Sequence, residues 1–305
     1  MSGRHKSTSA ALAAALGIAA AGATQGLPST DVYVCSLATD DGGALAVTGC
    51  RNVSDRDGYD NQPAFLPDGE ALLYTSHRSS DGDDAAGQTD IYRYDMKAAT
   101  TERLTDTAES EYSPTPLPSA SGFSVVRVEA DGTQRLWRFG PDGEKPRLLL
   151  ADVKPVGYHA WLDADTVALF VLGEPHELRV ARLGQDGSDK LAADIGRSLH
   201  KVPGETAVSF VAKADRTIRT MPAGGGEAAT LVKLLPERED YVWMGRRTLL
   251  MGSASKLFRA DLDQEPPRWV EVADLKLAGV RGISRLAVSR AGDRLALVGK
   301  RATPE

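Results

Sequence analysis

The chain has 305 residues, of which 42% are hydrophobic and 26% charged, and its formal net charge is −6. That composition supports a buried core and excludes a chain that stays disordered. The acidic balance argues against nucleic acid as a partner, because a negative surface repels phosphate backbones.

In chain order, the first feature is the basic cluster Arg4, His5 and Lys6, followed by an apolar stretch from Ala10 to Ala21 and the small triplet Ala21-Gly22-Ala23. This pattern reads as a secretory signal peptide over residues 1–23, cleaved after Ala23. A membrane span needs about 20 apolar residues, and this run is too short and too rich in alanine. The alternative is a leader that is never removed. The expectation is an exported chain, periplasmic or secreted, with no transmembrane segment after cleavage.

A hairpin follows that holds both cysteines of the chain, Cys35 and Cys50. With Gly42-Gly43 as a two-residue turn, Cys35 faces Cys50 across the strands, within reach of a disulfide. An oxidising compartment favours that bond, which closes a loop of about 15 residues and contributes about 3 kcal/mol through chain entropy. Two buried reduced thiols are the competing reading.

Beyond the hairpin the chain repeats. A strand recurs six times, as Asp31-Val32-Tyr33-Val34, Asp90-Ile91-Tyr92-Arg93, Arg135-Leu136-Trp137-Arg138, Glu177-Leu178-Arg179-Val180, Arg216-Thr217-Ile218-Arg219 and Lys256-Leu257-Phe258-Arg259. The strand that should precede it also recurs six times, the last at Arg294 to Val298. The first copy of one lacks its predecessor, and the last copy of the other lacks its successor. After the first blade the copies lie roughly 39 to 45 residues apart, the spacing of propeller blades. Turn signals such as Pro67-Asp68-Gly69 and Pro141-Asp142-Gly143 separate the β runs. The sequence therefore predicts an all-β fold, a six-bladed β-propeller over residues 30–300 whose last blade is closed by N-terminal strands. Strands a and b of that blade run from Ile283 to Val298, and strands c and d from Asp31 to Cys50. Pairing the two ends of the chain leaves no bare terminal blade.

Asn61-Gln62-Pro63-Ala64-Phe65-Leu66-Pro67-Asp68-Gly69, the strand ending Ser76-His77-Arg78, Asp90-Ile91-Tyr92 and the closing Arg103-Leu104-Thr105 follow one another in the first complete blade. In that order they resemble the WD-like, Pro-Asp repeat of the TolB-type six-bladed propeller. The second blade keeps Ser113-Pro114 and Leu117-Pro118, whereas later blades keep only the strand rhythm. The resemblance implies an exported platform that binds proteins or small ligands, and it makes the motif residues structural. Only about 30 residues precede the ring, so the α/β domain that TolB carries ahead of its propeller is expected to be absent, and with it a Tol-Pal role.

Ligands of propellers gather at the channel mouth, taken here as the place where each inner strand begins. The residues predicted there are Asn61, Tyr112, Tyr158, His159, His200 with Lys201, Tyr241 and Arg281, a polar and aromatic set suited to recognition. The plainer reading has these tyrosines packing blades together and the histidines satisfied by backbone. His159 and His200, taken as equivalent positions of adjacent blades, could share a metal with Asp240 or Asp60, but zinc needs three or four placed ligands and none is fixed here. The acidic run Ser80-Asp81-Gly82-Asp83-Asp84 lacks the later ligands of a calcium loop and reads as a solvated loop. Arg78 and Asp90 are expected to pair inside the first blade.

No Gly-x-Ser-x-Gly elbow, Cys-His pair, phosphate-binding loop or Cys-x-x-Cys site occurs. No catalytic residue, metal or cofactor is assigned. The function read from the sequence is a non-enzymatic binding scaffold that engages a protein, glycan or small ligand. The alternative is a propeller lactonase, hydrolase or lyase with a cation in its channel.

Overall fold

The computed structural model describes residues 27–78 and 88–301. The segment 1–23, expected to be a signal peptide, and the acidic run at 80–84 lie outside the described residues. The strands are β1 (Asp31–Thr39) and β2 (Leu45–Asn52), then blade 1 with β3 (Asp60–Phe65), β4 (Ala71–Arg78), β5 (Gln88–Asp95) and β6 (Thr100–Arg103). Blade 2 holds β7 (Ser110–Pro116), β8 (Phe123–Val128), β9 (Gln134–Phe139) and β10 (Arg147–Leu148), and blade 3 holds β11 (Val156–Trp161), β12 (Thr166–Val171), β13 (Glu177–Arg182) and β14 (Asp189–Ala193). Blade 4 consists of β15 (Ile195–Lys201), β16 (Ala207–Ala212), β17 (Thr217–Pro222) and β18 (Ala229–Lys233). Blade 5 consists of β19 (Tyr241–Met244), β20 (Thr248–Ser253), β21 (Lys256–Asp261) and β22 (Trp269–Asp274). The last three strands are β23 (Val280–Arg281), β24 (Leu286–Val288) and β25 (Arg294–Arg301).

Blades 1 to 5 are four-stranded antiparallel sheets, and the sixth is β2-β1-β25 with β23 and β24 both pairing β25. The orphan strands thus complete each other: β1 pairs β25 from Asp31 opposite Gly299 to Ser36 opposite Arg294, with Tyr33 opposite Leu297. Burial follows radial position. The second strand of a blade is covered on both faces, so β12 is buried throughout and reads as a continuous apolar run, whereas the outermost β6 is exposed throughout. Tyr92 and Tyr94 pack into the apolar seam between blades 1 and 6.

Cys35 and Cys50 form a disulfide, although the turn differs from the predicted one. Asp40 and Ala44 close a three-residue loop, with the Asp40 N–H on the Ala44 carbonyl at 3.0 Å, and this sets Thr39 opposite Leu45 and Ser36 opposite Thr48. That register alone would not bring the cysteines together. A bulge with Gly49 in the left-handed region, φ 59°, shifts β2 by one residue, so that Val34 faces Arg51 and the sulfurs meet. Two local departures from a regular hairpin offset each other.

Two further expectations are corrected. Arg78 does not pair with Asp90: it stacks on the Tyr92 ring, with its Cζ 4.1 Å from the centroid, and its Nη2 lies 4.0 Å from Asp60. Asp90 is held instead by Arg103 at 2.9 Å. The inner strand of blade 4 begins at Ile195 and not at His200.

Candidate functional site

The inner strands β3, β7, β11, β15, β19 and β24 surround a central cavity of about 530 Å³. Its wall runs from Gln62, Ser113, Tyr158, Arg197, Asp240 and Arg285 near the strand starts to Phe65, Pro116, Asp163, Lys201 and Val288 at their ends. Bulges shape this wall. In β3 and β7 the register slips at Gln62 and Ser113, both at φ 55°, and each is followed by a proline that no ladder bond requires. The Gln62 side-chain oxygen accepts from Thr75 Oγ1 and from the Ser113 N–H, each at 2.9 Å, and so ties blade 1 to blade 2.

A charged network spans the end of the cavity where the strands start. Arg197 grips Asp240 in a forked pair, Nε to Oδ1 at 3.2 Å and Nη2 to Oδ2 at 2.5 Å. Arg285 donates from Nη1 to the same Oδ1, and from Nη2 to the Tyr158 hydroxyl at 2.6 Å, while its Cζ sits 4.9 Å from the Tyr158 ring centroid. Burial works against ionisation of Asp240, and the two guanidiniums overcome it and hold its carboxyl below the usual carboxylate range. Tyr59, 3% exposed, is buried within electrostatic reach of Tyr158, Arg285, Tyr112 and Arg197, and burial pushes its hydroxyl far above the usual range. It does not line the cavity, whose lining extends to the ends of the inner strands and past them, at Lys201 and Asp163; we call the cavity the funnel and its strand-start end, with Tyr158, Arg197, Asp240 and Arg285, the floor.

Of the residues predicted at the mouth, Tyr158, His159, His200 and Tyr241 line this cavity together with Lys201. Asn61 and Tyr112 each lie one residue before a lining residue, Gln62 and Ser113. Arg281 is exposed in β23 opposite Lys300, and the lining residue of that blade is Arg285. His159 and His200 are not equivalent. His159 is three residues before Leu162, whose N–H bonds the Thr166 carbonyl, whereas His200 is two before Val202, whose N–H bonds that of Ala207. One step of register puts them on opposite strand faces. His159 Nε2 meets Ser124 Oγ of blade 2 at 2.7 Å, and the His200 ring packs edge-on against Tyr241 of blade 5 at 4.8 Å. Asp60, the other suggested carboxylate, is bound to Ser76 Oγ at 2.5 Å inside blade 1. Among the described residues no three His, Cys, Asp or Glu side chains converge on a common point.

Both histidines are instead parts of a joint that recurs between blades. In blade 2 the buried Ser124 Oγ meets His159 and accepts from Trp161 Nε1 at 2.9 Å; in blade 4 the buried Ser209 Oγ accepts from the Tyr241 hydroxyl and from Trp243 Nε1, each at 2.9 Å, and donates to the His200 carbonyl at 3.3 Å. Burial lowers the His159 imidazole to about 3 and the His200 imidazole to about 4, so both are neutral. Arg197 and Arg285 escaped the sequence reading. A signal for Arg197 was present in the parallel between Val156-Gly157-Tyr158 and Ile195-Gly196-Arg197, which aligns Arg197 with Tyr158; nothing comparable marks Arg285.

No protein-family model matches the chain, and no curated protein matches it by sequence. Solved structures do match. TolB from Acinetobacter baumannii superposes with a TM-score of 0.58 at 10% identity over 88% of this chain, which spans 64% of the length of that one. A protein described as TolB from Agrobacterium tumefaciens gives 0.66 at 13% identity, covering 91% of this chain and 99% of that one. The fold is that of the TolB-type propellers. The same fold matches a gluconolactonase from Xanthomonas campestris, TM-score 0.60 at 11% identity over 90% of this chain and 98% of the other. An oligogalacturonate lyase in complex with manganese gives 0.53 at 14% identity, covering 88% and 78%. At such identities the likeness concerns architecture alone, and activity has to be argued from the site. No helix among the described residues is long and apolar enough to cross a membrane.

Proposed function

We propose that the chain is an exported, non-enzymatic binding propeller whose funnel receives a small ligand or the end of a partner chain. The observation that carries this reading is the size and chemistry of the funnel, walled by Phe65, Trp161, Leu286 and Val288 and floored at the strand starts by Tyr158, Arg197, Asp240 and Arg285. Its volume suits a ligand of drug size, and such sites combine apolar walls with a few placed polar groups. The Cys35–Cys50 bond and the TolB-like fold support an oxidising compartment.

The rival reading, a cation-dependent lactonase or lyase, needs a converging set of oxygen or imidazole donors. The funnel residues do not fit one. Asp240 is gripped by two arginines, and the two histidines point away from each other. A funnel filled by Ala287→Trp tests the proposal against an outer-edge control, Glu271→Lys on β22. Cross-linked material co-purifying from the exported fraction should be lost from the filled variant and kept by the control. Retention by the filled variant would place binding elsewhere.

A further inference from the structure

We infer that the floor of the funnel is a carboxylate site, made by Arg285 and Arg197, for a monoanion with an apolar or aromatic stem such as an aryl or short peptidyl acid. This rests on the reading of the funnel as the binding site and names the chemistry of its occupant.

The first argument is charge. Two guanidiniums face one carboxylate, Asp240, at the floor; Tyr158 is a phenol there, and the two histidines of the wall are neutral. At the ends of the inner strands the opposite charges of Lys201 and Asp163 offset each other. Glu239 lies 3.6 Å from Arg197 Nε, but it belongs to an outer crevice where the three cations Lys213, Arg216 and Arg238 outnumber the two carboxylates Glu237 and Glu239 and, with solvent, share its charge. The funnel side of the network therefore carries one positive charge in excess, within a protein wall that screens it poorly.

The second argument is geometry. A guanidinium has five N–H donors arranged as a fork that matches a carboxylate. Arg285 spends Nη1 on Asp240 and Nη2 on Tyr158, and Arg197 spends Nε and Nη2 on Asp240. Among the described residues, Arg285 Nε and Arg197 Nη1 donate to no side chain or carbonyl. The Arg197 and Arg285 side chains keep 30% and 16% of their surface exposed, and both line the cavity. The apolar wall above them selects the stem, because a fully hydrated dianion or a polyol would strand polar groups against Phe65, Trp161, Leu286 and Val288.

Calorimetric titration with N-acetylphenylalanine and with its amide tests the inference on the full chain. The acid should bind about tenfold tighter or better than the amide, with the margin shrinking as salt rises. Arg285→Met should remove the preference. Asp240→Asn should raise acid affinity several-fold, because it frees both guanidiniums; a residue that only braces the fold would not move affinity in that direction. If Asp240→Asn fails to fold, Arg285→Lys keeps the charge without the fork and should weaken the acid several-fold. Equal binding of acid and amide would overturn the carboxylate site and leave the funnel reading standing. Binding of neither would overturn the inference, while partner capture by the Ala287→Trp variant decides the funnel separately.

Discussion

Replacing His159 by glutamine should lower the sensitivity of the fold to acid, and the size of the change follows from the burial of the imidazole. In the unfolded chain a histidine titrates near 6.5, whereas burial holds His159 at about 3 in the folded state. A depressed folded pKa means that the unfolded chain binds the extra proton first. The stability that the neutral ring contributes is complete above 6.5 and is lost as the pH falls from there toward 3. Between pH 8 and pH 5 the loss from this one residue comes to about 2 kcal/mol. Glutamine has no proton to gain there, and its amide can still meet Ser124 Oγ. The variant should be less stable than the parent at pH 8, by about 1–2 kcal/mol for imperfect packing, and that deficit should vanish near pH 5. Urea unfolding followed by tryptophan fluorescence at both pH values measures the difference. A deficit that is the same at pH 5 and pH 8 would refute the assignment of His159 as a neutral, fully buried ring.

Burial raises Glu111 to about 7, the opposite case: its contribution is complete below the unfolded value of 4.5 and lost as the pH rises through 7, so Glu111→Gln should remove about 3 kcal/mol of alkaline destabilisation in the same titration. Ser209→Ala leaves the Tyr241 hydroxyl and the Trp243 N–H without their acceptor and should cost about 2–5 kcal/mol in urea unfolding, whereas Ser121→Ala on an exposed turn should cost almost nothing. Reducing the Cys35–Cys50 bond should lower stability by about 3 kcal/mol, read as the shift in urea midpoint with and without a thiol reductant. Gly49→Ala puts a Cβ on a left-handed backbone and should straighten the bulge, so thiol titration of the unfolded, unreduced variant should find free cysteines where the parent shows none.

The six-blade repeat, the velcro pairing of β1 with β25 and the Cys35–Cys50 bond were all readable from residue order, because strand alternation, turn residues and two unmatched half-repeats are local or countable properties. The floor of the funnel was readable only in part: Tyr158 and Asp240 were named from the sequence, Arg197 and Arg285 were not. Which residue of an inner strand faces the axis depends on small slips of register: the bulges at Gln62 and Ser113 decide which residues of blades 1 and 2 line the cavity, and the unequal slips before Tyr158 and before Leu199 place His159 and His200 on opposite faces. Arg285 meets Tyr158 across 127 positions of sequence, and Asp240 receives one arginine from the blade before it and one from the blade after. Strand periodicity and turn chemistry write the ring into the chain. The convergence of charges at its axis exists only once the ring closes, since closure is what brings Tyr158, Arg197, Asp240 and Arg285 of four separate blades within hydrogen-bond distance.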